Sequence, residues 1–370
     1  MLQRFSGRRL TVMKSAGQSD HPRLRHYPHH ADYLGLEPEF RPFMMFTDRS
    51  YYRAPAVNTD KFGLREQYDA RDQFLDLESL GSTHHRCNVL LGGSTVFGVD
   101  ATSDRTTISH LLNLDDTPCL NLGVRGATGQ QELILFLLLK QYFPRIVNVV
   151  LFTGLNNCAL AARPGTRVYP GFGGIFYEGM RPDPARQQEL VGPGRFRLTQ
   201  IVDGAYSRSR LFRGALNLVL SQGGRPPQLS SRLASFGEKL GEIMRFVRND
   251  LATWGQLQAS GGYKIHFVLQ PAIGWTSRRT TAIETECFEA DLRLFPETRL
   301  FADRQVYQQY RAELAGACGS NGIDFHDANE WFEDPRFSRS ELFTDVCHLT
   351  DEGNRIVADL LRERLSWAGP

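Results

Sequence analysis

Residues 90 to 98 read Leu-Leu-Gly-Gly-Ser-Thr-Val-Phe-Gly. An apolar run stops at two glycines, and Ser94 follows at once. A serine there is either a turn residue that bonds its own backbone or a nucleophile. A nucleophile needs a base, a group that orients the base, and donors for a developing oxyanion. The stretch alone admits both readings. It excludes three other turns. No Lys-Ser/Thr follows the last glycine as a P-loop requires, GxGxxG is absent, and Val96 stands where a GxSxG elbow has its second glycine.

Three other stretches supply the remaining parts. "NLGVRGATG" carries Gly123 and Gly126, "TGLNN" carries Gly154, Asn156 and Asn157, and "TDVCHLTDEGN" carries Asp345 and His348. Together with Ser94 they offer a hydroxyl, backbone N–H groups, a side-chain amide, an imidazole and a carboxylate, the parts of an acyl-transfer site. Each also has a structural reading. Asn156 can cap a helix, Gly126 can permit a turn, Asp345 can be a loop carboxylate, and His348 can fill a gap. His326-Asp327 is a rival imidazole–carboxylate pair, but Asp-x-x-His gives His348 an orienting carboxylate directly ahead of a helix. Cys347 reads as a packed thiol, since nothing near it in sequence lowers its pKa.

Positioning these residues is the work of alternating elements. "NVLL", "PCLNLG", "IVNVVLFTG", "KIHFVLQP" and "IDFHD" read as strands. Thr128 with Gln131 reads as the capping box of a helix. Further helices are expected in "TTISHLLN", near 230–258, near 303–317, and from Thr350 toward Leu365. Continuously apolar strands indicate a parallel sheet buried on both faces. The expected fold is α/β, a doubly wound parallel sheet with helices on both faces. In such sheets ligands bind beyond the carboxyl ends of the strands, and all four stretches fall there.

Residues 1–50 read as a polar N-terminal arm, and 51–370 as the α/β domain. His26, His29 and His30 lie among arginines in the arm, a cluster that reads either as metal ligands or as a solvated surface. A Gly-, Pro- and Arg-rich stretch over about 159–228 is too long for a plain loop and reads as an insertion or cap after the third strand. "AVNTDKFGLRE" reads as a loop with a turn at Gly63.

Net charge is +2 and charged residues make up 23% of the chain, so no strongly charged partner such as nucleic acid is implied. The six cysteines lack CxxC spacing and no Cys/His cluster suggests zinc, so neither a metal nor a cofactor is expected. Scattered thiols and an N-terminus without an apolar h-region suggest a cytoplasmic protein. "ELILFLLLKQYF" is too short to span a bilayer and reads as a core helix.

The four blocks, in this order, resemble those of the SGNH (GDSL-type) hydrolases. "GGST" resembles the nucleophile block, with Gly-Gly-Ser where many members have Gly-Asp-Ser, a variant associated with a branch of the family. Gly126 matches the glycine block. "GLNN" resembles Gly-x-Asn-Asp, with Asn157 replacing the aspartate, and "DVCH" resembles Asp-x-x-His. The resemblance covers about 88–158 and 264–365 and implies a serine hydrolase. Ser94 would be the nucleophile, His348 the base and Asp345 its orienter. The Ser94 and Gly126 N–H groups and the Asn156 amide would form the oxyanion hole. The expected substrate is an acyl ester of a small molecule or glycan, cleaved as by an O-acyl esterase, deacetylase or short acyl thioesterase. Acyl transfer on the same site, as in an O-acetyltransferase, is the alternative, and an inert binding module on this fold is another. Asn58, Gly63 and Arg65 also resemble an Asn-x-x-Gly-x-Arg segment upstream of the nucleophile in some members, although here four residues rather than two separate the asparagine from the glycine. This makes Arg65 either a clamp for an acidic substrate group or a brace for the first strand. Asn157 is a further candidate for substrate binding.

Overall fold

Side chains alternate across a strand, so a strand apolar at nearly every position must be covered on both faces. The computed structural model describes residues 21–41, 43–114, 116–162, 229–365 and 367. It opens with helices α1 (Pro22–His26) and α2 (His30–Leu34) and the antiparallel pair β1 (Pro38–Arg41) and β2 (Met45–Asp48). Next come α3 (Leu80–Thr83), β3 (Arg86–Gly92), the single turns α4 (Ser94–Phe97) and α5 (Ile108–Leu111), β4 (Cys119–Gly123), α6 (Gly129–Leu139), β5 (Arg145–Thr153) and α7 (Leu155–Ala162). The next described elements are α8 (Leu229–Gly261), β6 (Lys264–Leu269), α9 (Ala282–Leu294), α10 (Thr298–Phe301), α11 (Arg304–Ser320), β7 (Asp324–Asp327), α12 (Ala328–Trp331) and α13 (Asp351–Arg364).

Strands β3 to β7 form one five-stranded parallel sheet in the order β4-β3-β5-β6-β7. The chain leaves β3 to one side for β4, then returns to β5 on the other side. The crevice of a doubly wound sheet opens at this switch point. Alternation divides the core in two. Val89, Leu91, Val149, Leu151, Ile265 and Phe267 join one apolar cluster with α6 and α8. Leu90, Val150, Phe152 and Val268 face the other with α5 and α13. The fold is therefore the doubly wound α/β sheet that the apolar runs imply.

Caps fix two helices that enter the site region. Gln131 Oε1 accepts from the Thr128 N–H at 3.1 Å ahead of α6, and Thr350 Oγ1 accepts from the Gly353 N–H at 3.0 Å in the first turn of α13. The helix expected in "TTISHLLN" is only the single turn α5. Of the arm read over 1–50, the described residues from His21 form α1, α2 and the β1–β2 pair, packed on the domain. Its first twenty residues, and the expected insertion beyond Ala162, lie outside the described residues. All six cysteines are buried and unpaired. Among the described residues no helix is long and apolar enough to cross a membrane.

Candidate active site

Ser94 is the first residue of α4, with Gly93 alone between it and the end of β3. The first N–H groups of a helix have no intrahelical partner, so the Ser94 turn offers donors. With one turn only, α4 adds little macrodipole, and those local N–H groups carry the effect. Gly93 is required by a close approach. A Cβ there would sit 2.4 Å from Nδ2 of Asn156. The Asn156 amide thus lies against the residue before Ser94. Its Nδ2 donates to the Ala127 carbonyl at 2.7 Å, which leaves one of its two N–H bonds for another acceptor. Gly126 precedes Ala127 and has the positive φ of 76° that this turn needs.

The loop before α13 meets α4 from the other side. Thr95 Oγ1 donates to the Cys347 carbonyl at 3.3 Å and accepts from Gln270 Nε2 at 3.1 Å. The residues next to Ser94 and next to His348 are therefore in direct contact. Asp345 Oδ1 accepts the N–H groups of Cys347 and His348 at 2.9 and 2.7 Å. Its Oδ2 lies 2.5 Å from Nδ1 of His348. Burial works against the charge on Asp345, but the Arg23 guanidinium and His348 hold its carboxyl well below the ordinary range. Nε2 of His348 is buried without a hydrogen-bond partner among the described residues. An unpaired buried nitrogen is costly and calls for a partner supplied in function. Burial pushes the Cys347 thiol well up, as a packed thiol requires.

Ser94, Gly126, Asn156, Asp345 and His348 are thus gathered around the switch point at the carboxyl ends of β3, β4 and β5. The rival base, His326, lies within β7, its ring 5.6 Å from that of His266 and 6.2 Å from that of Trp331. His266, Asp324 and His326 bring their ligand atoms within 4.8 Å of one another, but Lys264 Nζ occupies the Asp324 carboxylate at 3.1 Å. Arg65 is fully buried. It donates from Nε to Asp104 at 2.5 Å, from Nη1 to the Tyr33 hydroxyl and the Gly98 carbonyl, and from Nη2 to the Ala56 carbonyl. Asn58 also donates to Asp104, from its N–H and its amide. The segment from Asn58 to Arg65 therefore braces the turn that ends α4, and the clamp reading of Arg65 gives way to the structural one. Asn157 is buried as well and bonds the Tyr310 side chain.

Two residues at this site carry no signal in the sequence. Arg23 on α1 is buried and donates from Nε to Asp100 Oδ2 at 2.5 Å. It also pairs with Asp345. Asp100 is buried in the left-handed region at φ 69°. It gathers Nδ1 of His30 at 2.6 Å and the Thr344 hydroxyl at 2.5 Å, and its carbonyl meets Nε2 of His29 at 2.8 Å. His26 instead meets Glu286 at 2.9 Å. The histidine cluster of the arm thus divides between Asp100 and Glu286, with His30 and His26 on their carboxylates and His29 on the Asp100 backbone carbonyl.

No protein-family model matches the chain, and no curated protein matches it. Solved structures similar to it include an acetyl xylan esterase, AlAXEase, at 15% identity and a TM-score of 0.36, covering 75% of this chain and 99% of that one. An extracellular lipase from Streptomyces rimosus has 12% identity and a TM-score of 0.40, with 75% and 99% covered. A GDSL-like lipase from Bacteroides thetaiotaomicron has 12% identity and a TM-score of 0.39, with 78% and 90% covered.

Proposed function

We propose that the protein is a serine hydrolase of acyl esters, with Ser94 as nucleophile, His348 as base and Asp345 as its orienter. The observation that carries this reading is the state of His348. Its Nδ1 is bound to a buried carboxylate and its Nε2 is buried and unpaired among the described residues, on a loop that touches the turn of a partly exposed serine.

At 2.5 Å two lone pairs cannot face each other, and with Asp345 held ionised by Arg23 the proton between them falls to Nδ1. That tautomer leaves Nε2 with a free lone pair. Ser94 Oγ adds to the ester carbonyl while Nε2 takes its proton. The carbonyl π electrons move to oxygen, where the Ser94 and Gly126 N–H groups and the Asn156 amide receive the charge. The tetrahedral intermediate collapses, the C–O bond to the leaving group breaks, and the imidazolium protonates the departing alkoxide. Water then adds to the acyl-serine with Nε2 again as base, which releases the carboxylic acid and restores Ser94.

The test is hydrolysis of p-nitrophenyl acetate and butyrate by wild type and Ser94→Ala, with labelling by a fluorophosphonate. Loss of turnover and of labelling in a folded Ser94→Ala protein is expected. Equal activity in both proteins would overturn the mechanism.

A further inference from the structure

The carboxylate that orients His348 has a second partner. Arg23 pairs with Asp345, bonds Asp100 from Nε at 2.5 Å, and brings Nη2 to 3.0 Å from Nδ1 of His348. The last approach is not a hydrogen bond if Nδ1–H faces Asp345, because both atoms are then donors. It is a fixed cation beside the imidazole. A guanidinium cannot deprotonate in a protein, so this charge is present at every working pH.

We propose that Arg23 is a positioning residue that keeps Asp345 ionised and sets the proton affinity of His348. The proposal rests on the reading of His348 as the base. A histidine backed by an isolated buried carboxylate gains basicity, since the imidazolium is paired. Arg23 cancels part of that gain by sharing the Asp345 charge and by standing against Nδ1. Asp100 adjusts the setting, because it divides the guanidinium between two carboxylates. Its left-handed backbone, unusual for a residue with a side chain, is held where Arg23, His30 and Thr344 converge on its carboxylate.

The other charged groups facing this cluster fit one arrangement. Asp291 of α9 faces it with His21 at 3.4 Å and also accepts the Val346 N–H at 3.3 Å. Cys287 of α9 and Cys347 of the loop are thiols pushed up by burial, hence neutral. Glu284 is matched by Arg278, and Glu286 by Arg25 and His26. His30 of α2 is pushed down by burial and by Arg23, despite its bond to Asp100. Arg23 is thus the fixed cation shared by Asp100 and Asp345.

A purely structural Arg23 would scale activity equally at all pH. The proposal instead requires a shift in titration. The experiment follows the His348 ring by NMR in histidine-labelled full-length protein, assigned by its loss in His348→Gln. In Arg23→Met two carboxylates lose their cation, and the His348 midpoint is expected to rise by about one pH unit or more. Arg23→Lys keeps the charge and is expected to stay near wild type. Asp100→Asn leaves the whole guanidinium charge on Asp345 and His348, and the midpoint is expected to fall. Coincident midpoints in wild type, Arg23→Met and Asp100→Asn would overturn the proposal. If Arg23→Met does not fold, a midpoint in Asp100→Asn that is not below wild type overturns it alone. The acid limb of kcat/KM on p-nitrophenyl acetate should shift in the same order. Shifted NMR midpoints without ester turnover would sustain the electrostatic role of Arg23 and defeat the hydrolase reading.

Discussion

Thr95 Oγ1 donates to the carbonyl of Cys347 at 3.3 Å, across 252 residues of sequence. This bond joins the serine turn to the histidine loop, and Gln270 at the end of β6 completes it from Nε2 at 3.1 Å. Thr95→Val keeps the shape and removes both contacts, leaving a buried amide donor unpaired. The expected cost is about 1–3 kcal/mol of stability, read as a lower urea midpoint. A fall in kcat larger than the change in KM is also expected, since the bond registers two catalytic turns rather than binding substrate. An unchanged kcat in the folded variant would show that the turns hold their register without it.

Gly93 and Asn156 form a second testable pair. Asn156→Ala removes a proposed oxyanion donor and is expected to lower kcat by about 100- to 1,000-fold. Gly93→Ala puts a methyl 2.4 Å from the Asn156 amide and must displace it. Its loss in kcat should be of the same order, and the double variant should be little worse than either single one, because both act through one group. Additive losses in kcat would separate the two residues and count against Asn156 as the common element.

The gathering of Ser94, Gly126, Asn156, Asp345 and His348 is legible in the sequence because it follows from topology. Parallel strands bring their carboxyl ends to one edge, so turn residues after each apolar run must be neighbours. The same logic places His326 inside a strand, since its own run ends one residue later. Arg23 is not legible. Its contact with His348 spans 325 residues and depends on how α1 docks, which no local pattern encodes. Asp100 escapes for a related reason, as Arg23, His30 and Thr344, the side chains that meet its carboxylate, all lie 70 or more residues away in sequence. The fate of Arg65 turns on Asp104, a partner 39 residues away whose burial only the fold decides.

Arg65 and Asp104 give a stability prediction. Arg65→Met leaves the buried Asp104 with only the Asn58 donors among the described residues. Removing one side of a buried ion pair costs about 3–5 kcal/mol, to be read from urea unfolding. Below that transition, KM for acidic and neutral esters should change in parallel. A rise in KM confined to acidic esters would restore a substrate role for Arg65.

Glu132 predicts how stability varies with pH. It is fully enclosed on α6 and accepts the Thr153 hydroxyl at 2.6 Å, just ahead of the Asn156 turn. Burial above all, and Asp250 in addition, push it from 4.5 up to about 8, against the Thr153 bond. A carboxyl raised in the folded state is protonated there while it ionises in the unfolded chain. Folding then takes up a proton between the two values, so its effect is absent below the unfolded pKa and stability falls as pH rises toward the folded one. Glu132→Gln keeps the acceptor for Thr153 and removes the titration. Wild type should lose stability between about pH 5 and pH 8, by at most roughly 1.4 kcal/mol per pH unit from this group. The variant should have a flatter profile and a margin over wild type that widens toward alkaline pH. Urea unfolding of both proteins across this range decides the matter, and parallel profiles would place the Glu132 proton elsewhere.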